Sequence, residues 1–349
     1  MPLDIVPIDP LNPADDELFA AWLGVHDVAA RAAYGDRCAV WSADEIRAFY
    51  VDQQDERRIA WAAVVDGAVV GHLELQIPLA DNTHRAAVEI LVRPESRRRG
   101  IGSALLDVAE RVARAEGREV MGAESDVATD RDDPAAGFAA RHGYTAEQTE
   151  LRSDLELPLA DGVLAATTAE TDEHASGYEV LTSWDGIPDE WLADRAELSR
   201  RMSTDVPLGG LAITEENWDA ERMRRSFATV RAQGRRLVES VVRHTATGRL
   251  VGYTTLAVAS HTPHLAYQWD TLVLHEHRGR RLGLLLKAAN LRALTAGLPG
   301  VRRVATWNAR ENEPMLRVNR ALGFEVVGRL TEWQRKLDWL RDPAFTATK

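Results

Sequence analysis

The chain has 349 residues, a length that suits about two domains; at 45% hydrophobic and 28% charged it reads as globular, which excludes a disordered or fibrous protein. No apolar run approaches the roughly 18 residues of a membrane span, and a single cysteine, Cys38, excludes an internal disulfide framework or a thiolate zinc site. The net charge of −12 is carried by residues 1–160, with 30 acidic against 16 basic residues, while 161–349 has 24 against 26; this field disfavours nucleic acid and anionic membranes and favours cationic ligands.

In chain order, Leu3–Ile8 is predicted as a strand. Ser42-Ala43-Asp44-Glu45 is a capping box that opens the second of two helices. Asp66-Gly67 is a hairpin turn between two strands. Ala87–Val92 is a strand that runs into Arg97-Arg98-Arg99-Gly100-Ile101-Gly102, and behind it Leu105, Ala109 and Val112 fall at helical spacing. A strand at Glu119–Ser125, a short helix and a closing hairpin are expected next. Residues 161–177, rich in Ala, Thr and acids without periodicity, read as a linker.

The series then starts again. Tyr178–Leu181 is a strand, Asp189–Met202 and Glu215–Gln233 are helices, the latter with Thr214 as N-cap, and Thr247-Gly248 is a hairpin turn. Trp269–Leu274 leads into Arg278-Gly279-Arg280-Arg281-Leu282-Gly283, with Leu284, Ala288 and Leu291 at helical spacing behind. Arg303–Trp307, a short helix and a hairpin close the copy. Gly71 and Gly252, and Gly102 and Gly283, are each 181 residues apart. Two copies of so long a unit predict two domains, 1–160 and 178–349, rather than a solenoid. Each is expected to be an α+β unit around a mixed, mostly antiparallel sheet flanked by helices.

A strand that stops at a glycine turn and restarts as a helix leaves backbone N–H groups converging on one spot, where the helix dipole favours phosphate. Arg97, Arg98 and Arg99, and Arg278, Arg280 and Arg281, add formal charge. Neither loop has the Lys-Ser/Thr of a P-loop or the setting of a dinucleotide fingerprint.

This arrangement resembles the GCN5-related N-acetyltransferase (GNAT) superfamily, whose signature is Arg/Gln-x-x-Gly-x-Gly/Ala after a central strand. Arg97–Gly102 matches it fully, with Val92 and Pro94 upstream; Arg278–Gly283 matches at both ends but has Arg281 where the first glycine belongs. Arginine is compatible with that place provided the loop needs no positive φ there. The two copies are similar in layout to the tandem type seen in mycothiol synthase.

The resemblance implies that Arg97, Arg98, Arg99, Gly100, Ile101 and Gly102, and Arg278, Gly279, Arg280, Arg281, Leu282 and Gly283, hold the pyrophosphate of acetyl-CoA. It implies that an N–H near Val92 or Val273 polarises the thioester carbonyl. Asn308, Asn312 and Asn319 are expected to flank the pantetheine arm; turn and capping duties remain open for Asn308 and Asn312. Acyl transfer to an amine needs a base, and Glu89 and Asp270, each eight residues before its loop arginine, are the candidates. The tyrosine that many members use as acid is replaced by Ala139 and Asn319.

The expected activity is acetyl-CoA-dependent acylation of a small amine, cationic by the charge argument, by direct attack in a ternary complex. The second domain is favoured as catalytic. No metal, nucleic acid or membrane partner is expected, and with no secretory pattern read at Met1-Pro2-Leu3-Asp4 a cytoplasmic location is expected. A non-catalytic acyl-CoA sensor or scaffold and a protein lysine acetyltransferase stay open as alternatives.

Overall fold

The computed structural model describes residues 2–160 and 162–337. The chain begins with β1 (Leu3–Ile8), α1 (Asp16–Tyr34), α2 (Ala43–Val51), β2 (Glu56–Val65), β3 (Ala68–Pro78) and β4 (Arg85–Val92). It continues through α3 (Ile101–Ala115), β5 (Val120–Ala128), α4 (Ala136–Arg141), β6 (Thr145–Glu156) and α5 (Val163–Asp172). The second copy runs β7 (Tyr178–Trp184), α6 (Leu192–Met202), α7 (Ala220–Ala232), β8 (Arg235–His244), β9 (Leu250–Ala259) and β10 (Leu265–Val273). It ends with α8 (Leu282–Gly297), β11 (Arg303–Ala309), α9 (Glu313–Leu322) and β12 (Glu325–Lys336). Among the described residues no helix is long and apolar enough to cross a membrane.

Local signals explain most starts and turns. Ser42 caps α2 through a reciprocal box with Glu45. Asp66 and Gly67 both take positive φ, 51° and 79°, as a two-residue hairpin turn requires. The cap expected at Thr214 falls instead at Asp219, whose carboxylate accepts from Arg222 N–H at 2.7 Å. The preceding residues are held out of the helix, with Glu216 N–H donating to Ser203 Oγ at 3.1 Å.

Two compact units form. The first comprises 2–149, Gly209–Ala212 and 329–337; the second comprises Glu150–Leu208 and Ile213–Gly328. This differs from the boundary read in the sequence. The segment expected as a linker carries α5, which packs on α8 inside the second unit; residue 161 of that segment, and 338–349, lie outside the described residues. Each expected closing hairpin is one 12-residue strand, β6 or β12. The first unit therefore takes residues 329–336 of β12 beside β5, and the second takes 150–156 of β6 beside β11. Trp333 Nε1 donates to Ser125 Oγ at 2.8 Å and Arg335 pairs with Glu110 at 2.6 Å, anchoring the late strand in the first unit.

Within the first unit the strands run β1-β2-β3-β4-β5, antiparallel except for the parallel pair β4/β5. Leu105 and Leu106 of α3 pack on Leu73, Leu75 and Met121 on one face, and Phe19, Trp22 and Ile46 cover Ala60 and Ala62 on the other. The second unit repeats the plan as β7-β8-β9-β10-β11, with β10/β11 parallel. Its two faces are Leu284, Leu291 and Leu294 over Val238 and Leu256, and Leu192, Ala196 and Phe227 over Leu237 and Ala257.

The repeated glycines mark where a strand passes beneath the helix that follows the loop. A Cβ on Gly71 would lie 2.8 Å from Ala63 Cβ and 3.0 Å from Leu105. One on Gly252 would lie 2.8 Å from the Leu272 carbonyl oxygen. Backbone cannot step aside as a side chain can, so Gly252→Ala is expected to destabilise the second unit by about 1–3 kcal/mol, seen as a lower urea midpoint.

Candidate active site

Both loops adopt the same backbone with glycine and arginine exchanged. Arg98 and Gly100 have φ of 63° and 85°; Gly279 and Arg281 have φ of 81° and 55°. The loop does require positive φ at residue 281, contrary to the proviso, and arginine adopts it there, a conformation in which a Cβ is strained. Each loop thus relieves one of its two left-handed positions with glycine and forces an arginine into the other.

The first helical bonds run from Ala104 N–H to the Gly100 carbonyl and from Leu285 N–H to the Arg281 carbonyl, both 3.0 Å. The N–H groups of Ile101, Gly102 and Ser103, and of Leu282, Gly283 and Leu284, precede these ladders and have no intrahelical acceptor. Arg97 and Arg278 use Nε on the carbonyls of Val92 and Val273, at 3.0 and 2.9 Å, tying each loop to the strand before it. Arg280 donates to the carbonyls of Glu276 and Arg278, while Arg281 pairs with Glu170 of α5. Gly102 is closed below by Phe138, which a Cβ would meet at 3.3 Å, whereas Gly283 has open space.

Upstream of the loops the parallel strands part. Pairing of β4 with β5 ends at Val88 and Ala123, and pairing of β10 with β11 ends at Tyr267 and Ala305. Arg93 N–H bonds to the Val70 carbonyl and Leu274 N–H to the Val251 carbonyl, both 2.9 Å. Backbone groups alternate sides along a strand, so Val92 and Val273 direct theirs away from the neighbouring antiparallel strand and into the gap.

The strand carboxylates each meet a ring on that neighbouring strand. His72 Nε2 donates to Glu89 at 2.9 Å, and Tyr253 OH donates to Asp270 at 3.0 Å. His72 and Tyr253, like Glu89 and Asp270, are 181 residues apart. Trp22 stacks on His72 at 3.7 Å, and in the second unit the Arg195 guanidinium lies 3.4 Å from the Tyr253 ring centre. Sequence reasoning missed His72 and Tyr253, although each directly follows a glycine of the repeat.

The two carboxylates differ in setting. Glu89 sits in an unbroken β3/β4 register, opposite Glu74. Desolvation of its carboxyl raises the pKa, but the hydrogen bond from His72 and the charges of His72, His26 and Arg58 outweigh it and bring it down to about 2. Glu89 is thus ionised but weakly basic at neutral pH. Asp270 lies with Trp269 in a bulge of β10 between Gln268 and Thr271; its side chain is exposed, as that of Glu89 is, so the bulge and the ring partner are what set the two apart. Burial pushes Tyr253 well above the ordinary tyrosine value, so its phenol remains a donor to Asp270.

Of the asparagines, Asn312 caps α9 by accepting from Met315 N–H at 3.3 Å. Asn319 is buried, accepting from Lys287 Nζ and donating to Asn308 Oδ1, both 2.6 Å. Lys287 is 1% exposed, and burial pushes its amine down to about 7. The sequence did carry a signal for it: a lone lysine in the otherwise apolar run Leu284–Ala289.

Because the folded value lies below the ordinary 10.5, the unfolded chain binds more protons between about pH 7 and 10.5, and native stability rises with pH through that window. Lys287→Met is therefore expected to stabilise the protein at neutral pH by up to about 4 kcal/mol. The gain should fade towards pH 10.5, as read by urea unfolding at several pH values.

Comparison with known proteins places these features. Residues 22–144 match the acetyltransferase (GNAT) family. The mycothiol acetyltransferase of Mycolicibacterium vanbaalenii is 30% identical over 288 residues, covering 79% of this chain and 81% of that protein. A tandem GNAT protein from the clavulanic acid biosynthesis pathway superposes with a TM-score of 0.80 at 32% identity, over 97% of this chain and 99% of that one. A GCN5-related N-acetyltransferase from Sphaerobacter thermophilus, at 17% identity and a TM-score of 0.64 over 96% of each chain, shares the fold. With two mixed sheets flanked by helices, each opening ahead of a loop that starts a helix, and with relatives that match it over most of their length, the chain belongs to the acetyltransferase (GNAT) family.

Proposed function

We propose that the protein transfers the acetyl group of acetyl-CoA to the amine of a small molecule by direct attack in a ternary complex, with the second unit catalytic. The observation that carries this reading is the alignment, along β10, of Asp270 in its bulge, the gap-facing Val273 N–H and the free N–H groups of the following loop. The loop groups would bind the pyrophosphate, Val273 N–H would stabilise the oxyanion, and Asp270 would take the ammonium proton. Asn308 and Asn312 would line the pantetheine side.

The first unit would hold a second acyl-CoA through Arg97–Gly102 and Val92. Its Glu89, ionised yet weakly basic, suits holding a cation better than removing a proton. A relative named mycothiol acetyltransferase, after a small molecule, supports a small-molecule acceptor over protein lysine.

The test is calorimetric titration of the full chain with CoA, together with thiol release from acetyl-CoA over a panel of polyamines and amino sugars. Thiol release that depends on one amine class supports the proposal. Binding without turnover would favour the sensor reading.

A further inference from the structure

We propose that Lys287 is a positioning residue of the second unit: by donating to Asn319 it fixes two side-chain amides in series, so that Asn308 presents an N–H to the sulfur of the bound thioester. The inference rests on the acyl-CoA reading above and adds to it the group that receives the leaving thiolate.

The argument is one of hydrogen-bond polarity. Lys287 Nζ, which has hydrogens to give whether charged or neutral, donates to Asn319 Oδ1 at 2.6 Å. Asn319 is then obliged to turn Nδ2 towards Asn308, also at 2.6 Å, and Asn308 must receive it with Oδ1. What remains on Asn308 is its own Nδ2, which donates to no described residue. Reversing Asn319 would set acceptor against acceptor at Asn308, and reversing Asn308 would set donor against donor at Asn319.

The chain of amides ends where it can act. Thr306 Oγ1 still reaches the Gln268 carbonyl at 3.3 Å, close to where β11 parts from β10. Asn308 is two residues further along, half-buried, beside the gap. When the amine attacks the thioester carbonyl, a C–N bond forms and the C–S bond breaks. One ammonium proton passes to Asp270 and then to solvent before attack; as the electron pair leaves on sulfur, the second proton is lost from nitrogen to solvent and CoA departs as the thiolate, which solvent can protonate. A donor aimed at sulfur lowers the barrier to that cleavage.

Composition and energetics agree with a role in the site. Of 42 basic residues only three are lysines, and this one is buried. Among the described residues no carboxylate pairs with it; Asn319 accepts from it and the Phe324 ring centre lies 5.5 Å away. A methionine would fill the same space without burying an amine.

The experiment compares the native chain with Lys287→Met, Asn319→Asp and the double variant. Asn319→Asp keeps the contact to Lys287 but cannot donate to Asn308. Each single change should lower kcat about tenfold with the KM for acetyl-CoA nearly constant, and the double variant should be no worse than either. Without any CoA, the Asn319 side-chain amide in ¹⁵N-labelled protein should exchange slowly, and Lys287→Met should remove that protection. Native kcat in both single variants, or an unprotected Asn319 amide in the native chain, overturns the inference. Equal CoA binding by the native chain and Gly283→Asp, whose added Cβ meets open space, overturns the acyl-CoA reading of the second unit itself, whatever the amide exchange shows.

Discussion

Asp270→Asn is expected to slow acetyl transfer by about 10²–10⁴-fold at neutral pH, the usual worth of a general base, with CoA affinity unchanged. Asparagine keeps the size of the side chain and an oxygen to accept from Tyr253 OH, so the bulge at Trp269 and Asp270 should persist. The pyrophosphate groups lie beyond it, at Arg278–Gly283, and do not involve residue 270. The deficit should shrink as pH rises, because a deprotonated amine needs no base. Thiol-release kinetics across pH, beside a CoA titration, provide the check. Native turnover in Asp270→Asn would remove Asp270 from the mechanism, and the same variant at Glu89 would then test the first unit.

Gly283→Asp should abolish measurable CoA binding at the second loop, a loss of at least about 100-fold, without unfolding the domain. A Cβ at Gly283 meets nothing within 4 Å. A carboxylate in the first turn of a helix interacts favourably with the helix dipole, so α8 should be as stable as before. The same carboxylate would occupy the place of the pyrophosphate and repel it. The equivalent change at Gly102 is a poorer test, because Phe138 lies beneath it. Two-site calorimetry of the native chain against one-site binding in Gly283→Asp would show the effect; equal binding would mean that the second loop holds no phosphate.

Much of this was legible in the sequence because the informative features are local. The α2 capping box, the Asp66-Gly67 turn, both basic loops and the helices behind them depend on residues within a few positions of each other. The 181-residue repeat then supplied the two-unit plan. What periodicity cannot report is which strand pairs with which. Residues 145–156 and 325–336 read as closing hairpins because nothing local says that each is one long strand with distant neighbours.

The site was legible to the same depth. Glu89 and Asp270 follow from their spacing to the loops, but His72 and Tyr253 join them only across strand pairs. Lys287 and Glu170 act through helix packing that no window of sequence contains. The α5 segment read as a linker because its composition is bland; its role is set by α8.

The late strand of the first unit has a consequence for synthesis. That unit is built from residues 2–149, from Gly209–Ala212 and from a late strand at 329–336. A ribosome making the protein releases β1 to β5 well before the strand that lies beside β5, and all of the second unit is translated in between. Until then the β5 edge is an open template for any extended segment nearby, and the first unit waits as an incomplete sheet while the second can close.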